Sequence, residues 1–212
     1  MGELRRFLPR QTVGVCSSYR QGRIVAAVAL VTIADDDGLG LSFPKRNPFV
    51  PGEAVTVHLD DRVGSELFSI ELKVQRSSYK GTVTLCQGNE AVVSLVDYDL
   101  FYGVRVVARS QASGYRHAAD PRPALVLPAS PLKRPVLADE NEKSNKLGVL
   151  ISRGFERPHT TVMAFLNSVD DDIFLVTMRE TFKYQNLARD PDCVFALDHR
   201  GTFSFEHLVD WN

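Results

Sequence analysis

The chain has 212 residues, enough for one large domain or two small ones, and its 44% hydrophobic and 24% charged content is that of a folded soluble protein. A formal net charge of -1 excludes a whole-protein field that would draw it to nucleic acid or anionic lipid, so any anion must be held by a local site. The longest apolar run, Ile24 to Ala34, is far short of the ~20 residues of a membrane span.

At the start of the chain, Arg5, Arg6 and Arg10 stand just ahead of the first strand. Such a flexible cationic arm either clamps phosphates bidentately or serves as a solubilising tail. From Val13 to Val107 the chain reads as short β segments separated by turn residues. "IVAAVALVTI" is followed by the acidic turn "ADDDG" and by "LGLSF", and "PGEAVTVHL" alternates with Val55 and Val57 on one face. "LFSIELKV", "GTVTL", "AVVSL" and "YGVRVV" follow at similar spacing. Many short strands without helical periodicity predict a small antiparallel barrel or sandwich over residues 1–110.

Residues 111–142 change character: Pro121, Pro123, Pro128, Pro131 and Pro135 are set among Ser, Ala and the charged "ADENEKS" segment. This predicts a semi-extended polar connector. A second unit, 143–212, then reads as strands "LGVLIS", "HTTVMAFL" and "IFLVT", a helix "TFKYQNLAR", a strand "CVFAL" and a further strand "FSFEHLV". So few residues are small for a domain that buries its own core. The unit is therefore expected to be completed by a partner subunit, or the chain is a truncated product.

Between "IFLVT" and the helix lie Thr177, Thr181 and Lys183. A helix N-terminus offers unpaired N–H groups and roughly half a positive charge. Two hydroxyls and an ammonium added to it, with Arg179 nearby, would seat a phosphate monoester. In the plainer alternative Thr181 is an N-cap and Lys183 a solvated helix residue.

The frame "FLVT" at 174–177, "TFKYQNLARDP" at 181–191 and "CVFAL" at 193–197 resembles the pyridoxamine 5′-phosphate oxidase-like flavin split barrels. "RPHTTVMAFL" looks like the strand that borders the flavin ring in that family. The resemblance implies an FMN phosphate held by Thr177, Thr181 and Lys183, and an isoalloxazine bordered by Thr160, Thr161, Val162 and Met163. It also implies a flavin-dependent oxidoreductase that pairs into homodimers, with the hard chemistry carried by the cofactor. No catalytic acid or base is named by this stretch.

The N-terminal pattern, "RRxxxR" before a strand, then "DDDGLGL" and "PGExVTVHL", resembles the PilZ domain, a six-stranded barrel. Many PilZ members bind cyclic di-GMP through those arginines and an Asp/Asn-x-Ser-x-x-Gly motif. Here that motif reads "IADDDG", with Ile33 and Asp35 at the first two conserved positions and only Gly38 matching. The resemblance implies a nucleotide site at Arg5, Arg6, Arg10, Asp35 and Gly38. Alternatively, Asp35, Asp36 and Asp37 pair with the arginines and fill the site internally.

The expected fold is thus all-β with one short helix: a PilZ-like six-stranded antiparallel barrel plus a partial flavin split barrel. The first function expected is FMN-dependent oxidoreduction. The alternatives are a non-enzymatic cyclic di-GMP sensor, or a protein acting only through contacts with partners. His58, His117, His159, His199 and His207 form no metal-binding group, and Ser17/Ser18 and Ser77/Ser78 have no adjacent base. Trp211, Phe203 and Phe205 suit core or subunit contact. Scattered Cys16, Cys86 and Cys193, with no secretory signal, fit a reducing cytoplasm.

Overall fold

The computed structural model describes residues 2–61, 74–126, 146–167 and 173–197. The fold is all-β with one short helix. Six strands form the barrel: β1 (Gln11–Arg20), β2 (Arg23–Ile33), β3 (Leu39–Ser42), β4 (Ala54–Asp60), β5 (Gln75–Gln87) and β6 (Glu90–Tyr102). Their order is β3-β2-β1-β4-β5-β6, all antiparallel, and β3 pairs with β6 to close the ring. A seventh strand, β7 (Arg105–Gln111), adds to the free side of β6. Closure removes sheet edges, the liability of an open antiparallel sheet.

Alternation fills the barrel. Val55, Val57 and Leu59 of β4 and Tyr79 and Val83 of β5 join Val31, Leu41 and Val93 in one buried cluster. Gly81 stands on the same inward face. A Cβ there would lie 2.2 Å from Val93 Cγ1 and 2.7 Å from the Ser94 carbonyl, so only glycine fits. The register between β5 and β6 slips at this point, Lys80 facing Asp97 and Gly81 facing Leu95. Such a bulge sharpens the local twist.

The arginine segment is not a loose arm. Leu4–Arg6 form a 3-10 turn, and Leu4 and Leu8 are buried in the barrel cluster. Burying a leucine side chain is worth about 1.5–3 kcal/mol, enough to dock a short segment that the basic residues alone would leave in solvent.

The second unit is a four-stranded antiparallel sheet, β8 (Lys146–Ser152), β9 (His159–Asn167), β10 (Ile173–Leu175) and β11 (Cys193–Leu197), in the order β10-β9-β8-β11. The helix α1 (Phe182–Arg189) connects β10 to β11. It stops where Asp190 takes an extended conformation ahead of Pro191, as proline requires of its predecessor. Asn186, buried on the inner face of α1, donates from Nδ2 to Ser152 Oγ at 3.2 Å. The strand expected through Thr177 ends at Leu175. The expected strands "LFSIELKV" (apart from Val74) and "FSFEHLV", Trp211, Phe203, Phe205, His199 and His207 lie outside the described residues.

The sheet packs on the outside of the barrel. Val15 and Ile24 meet Val149, Ile151, Val194 and Ala196. β1 from Gly14 to Ser18 and β4 from Val55 to Asp60 are in consequence buried on both faces. Polar clasps cross the seam: Tyr19 Oη donates to Gly154 O at 2.7 Å, and Thr56 Oγ1 to Pro158 O at 2.6 Å. Ser78 Oγ and Thr160 Oγ1 lie 3.0 Å apart.

The connector is not held away from the body. Residues 112–126 lack regular structure, yet Arg122 grips Asp120, donates to Arg153 O at 2.8 Å and accepts Arg189 Nε on its carbonyl at 3.1 Å. The rest of the proline-rich segment lies outside the described residues.

Candidate functional site

Parity along β5 sets up the site. Tyr79, Gly81 and Val83 face the barrel, which leaves Arg76, Ser78 and Lys80 in a row on the outer face beneath β9. Where β9 and the start of α1 cross that row, a cavity of about 420 Å³ opens. The second unit lines it with His159, Thr160, Thr161, Val162, Glu180, Thr181, Phe182 and Lys183, and the barrel with His58, Arg76, Ser77, Ser78 and Phe101. The volume is that of a small-ligand pocket. Five of the seven residues expected to hold FMN meet here: Thr160, Thr161, Val162, Thr181 and Lys183. Met163, which is buried, and Thr177 are not part of the lining.

The threonine corner is built by hydrogen bonds. Thr181 occupies the N-cap position of α1, but its side chain makes no capping bond. Its hydroxyl instead donates to Met178 O at 2.7 Å and lies 3.0 Å from Thr177 Oγ1. Because Thr181 has a single hydroxyl proton, Thr177 is the donor to Thr181. The first-turn N–H groups of α1 therefore have no side-chain acceptor at the N-cap, and such groups attract anions. Arg179, on the turn before the helix, is exposed.

Lys183 is not a solvated helix residue. It is partly buried, and its pKa is held below the usual lysine value first by desolvation and then by the charge of Arg76. No carboxylate among the described residues forms an ion pair with it. An anion placed beside the Lys183 ammonium would offset the repulsion that it feels from Arg76. Phe101, 5.8 Å from the Arg76 guanidinium, and Phe182 supply apolar walls.

His159 borders the same cavity, its ring 5.9 Å from that of Phe182. Burial pushes its pKa down to about 4, and Lys80, Lys183, His58 and His117 push in the same direction. The ring is neutral at neutral pH. Below pH 6.5 the unfolded chain takes up a proton that the folded ring refuses, so stability falls with pH down to about 4 and then levels. The gap caps this loss at about 3 kcal/mol. An NMR titration should find a midpoint near 4 for His159; a midpoint near 6.5 would mean that the ring is solvated.

The N-terminal arginines have different partners. Arg5 Nη1 donates to Ile33 O at 3.3 Å and lies 3.6 Å from Asp35 Oδ1, while Arg6 pairs with Glu3 at 2.8 Å. Arg10 is exposed. Asp36 caps the Gly38 N–H at 3.0 Å. The expectation that the three aspartates pair with arginines holds for Asp35 alone. Asp37, in the left-handed region at φ 64°, turns inward and accepts from Glu3 N, Leu4 N and Tyr98 Oη at 3.1, 3.0 and 2.8 Å.

Arg76, Ser78 and Phe101 are among the site residues that sequence reasoning missed. The alternation Arg76, Ser78, Lys80 was present in the chain, but nothing local says that the outer face of β5 is covered by a second sheet. His58 is buried against Asp60, Nε2 to Oδ2 3.2 Å. No group of three metal-ligating side chains occurs among the described residues, and no described helix is long and apolar enough to cross a membrane.

Fold and site together define a class: an all-β protein of a closed six-stranded antiparallel barrel with an added strand, carrying a cation- and hydroxyl-lined cavity at its seam with a second sheet. No family model, curated protein or solved structure matches the chain.

Proposed function

We propose that this protein binds FMN in the seam cavity and serves as a flavin-dependent oxidoreductase of the pyridoxamine 5′-phosphate oxidase-like kind, its barrel being a PilZ-like module. One observation carries the reading: Thr160, Thr161, Val162, Thr181 and Lys183 line a single cavity that also contains Arg76. The donor set fits the cofactor. Lys183, Arg76 and the first turn of α1 suit the dianionic end, and Val162, Phe101 and Phe182 suit a flat aromatic body. Bound flavin supplies hydride and electron transfer, while the chain binds it, orients it and excludes water. Exposed Ile173 and Phe174 on β10 and Val176 and Met178 just after it offer apolar surface to a second copy, which supports a homodimer.

The purified chain, incubated with FMN and passed through a desalting column, should retain the flavin absorbance bands. A colourless eluate overturns the reading. A second reading, a cyclic di-GMP sensor, draws on the closed six-stranded barrel with Arg10 exposed just ahead of β1. It forecasts binding heat with cyclic di-GMP that disappears when Arg6→Ala and Arg10→Ala are combined. Heat unchanged by the double substitution removes those arginines from any such site.

A further inference from the structure

His159 and Phe182 also line a second cavity, of about 390 Å³. Lys80 of β5 lies at one side. The segment Gly154–Pro158, the connector residues His117 to Asp120, and Gln185, Asn186 and Arg189 of α1 form the remainder.

Most charges on this wall are already matched. Lys80 pairs with Asp97 and donates to His117 Nε2 at 2.8 Å. Arg189 gives Nε to Arg122 O and Nη1 to Gln185 O, and stands 3.8 Å from Asp120. Asp120 is gripped by Arg122 at 2.6 Å, and Glu156 acts on the Tyr115 phenol. Arg157 differs. Its Nη1 donates to Gly81 O at 3.2 Å and its guanidinium lies 5.8 Å from the centre of the Tyr115 ring. Its Nε is buried without a hydrogen-bond partner, and among the described residues no carboxylate forms an ion pair with it. An acceptor in the cavity would give this guanidinium the anionic partner that it does not find among the described side chains.

We infer that this second cavity is a binding site for a small organic carboxylate, held by Arg157 with its apolar body against Phe155 and Pro158. A single guanidinium without a carboxylate partner suits a monoanion better than a phosphate dianion. The planar guanidinium fork matches the two oxygens of a carboxylate. Ala118, Ala119, Phe155 and Pro158 supply the apolar surface that such ligands bury. The inference does not rest on flavin in the first cavity.

The test uses the full chain, with benzoate and its neutral isostere benzamide as probes, followed by calorimetry. Benzoate should bind saturably and benzamide at least tenfold more weakly. Arg157→Gln should weaken benzoate at least tenfold, while Lys183→Met leaves it unchanged. Because Arg157 also clasps the seam, Phe155→Ala provides a second variant: it removes a half-exposed ring that makes no side-chain hydrogen bond, and should weaken benzoate severalfold. Equal binding of the two probes, no saturable benzoate heat, or loss of benzoate in Lys183→Met overturns the assignment; the last outcome would move the anion to the first cavity.

Discussion

Lys183→Met should lower affinity for FMN ten- to a hundredfold while leaving riboflavin, which has no phosphate, unaffected. A charge-assisted hydrogen bond is worth about 1.5–3 kcal/mol, and about 1.4 kcal/mol is a factor of ten in affinity. The ammonium already stands partly desolvated beside Arg76, so much of the cost of drying it is met before ligand arrives. For the same reason the substitution should not lower the stability of the ligand-free protein. A lysine whose pKa is depressed on folding costs stability at neutral pH, and that cost fades as pH rises toward the ordinary lysine value. Fluorescence titrations of the two flavins, paired with urea denaturation, read both effects. Equal losses for FMN and riboflavin would detach the phosphate from this corner.

The largest effect on stability is expected at Asp37. Its carboxylate holds two backbone N–H groups of the N-terminal turn and the buried Tyr98 hydroxyl, and its own carbonyl accepts Tyr79 Oη at 3.0 Å. Asp37→Ala strands those donors inside the barrel mouth, each at about 1–3 kcal/mol, and adds strain at a left-handed backbone position. The sum should be about 3–5 kcal/mol after allowing for relaxation and non-additivity. Asp37→Asn keeps one acceptor oxygen and tolerates the backbone, so it should cost about half as much. Denaturation midpoints at unchanged slope measure both. Alanine and asparagine variants equally close to wild type would show that the turn is held by the leucines alone. Burial, with the Asp37 hydrogen bond second, drives the Tyr98 phenol pKa well above the usual tyrosine range. The shift keeps that hydroxyl in its protonated, donating form at neutral pH.

Much of the architecture was legible because β segments announce themselves locally. The alternation around Val55 and Val57, the acidic turn before Gly38 and the Asp190-Pro191 stop each act within a few residues of chain. The cavity was half legible. Thr181 and Lys183 drew notice through spacing at a helix start, whereas Arg76 and Phe101 come from strands more than 75 residues earlier. The outer face of β5 follows from its own alternation, but its cover by β9 depends on docking of the second sheet through contacts such as Val15 with Val149 and Ile151, a long-range event with no local signature. The inward turn of Asp37 was hidden for a related reason. Three adjacent aspartates look alike in a sequence, and only the backbone at φ 64° separates the one that enters the core from the two that stay out.

Strands β1 and β4, covered on both sides, have a consequence for cooperativity. Neither the barrel nor the outer sheet can melt without uncovering a surface that the other keeps dry. The two halves, though separable along the chain, should therefore unfold in one transition. A ligand that braces the seam stabilises the whole molecule rather than its own neighbourhood.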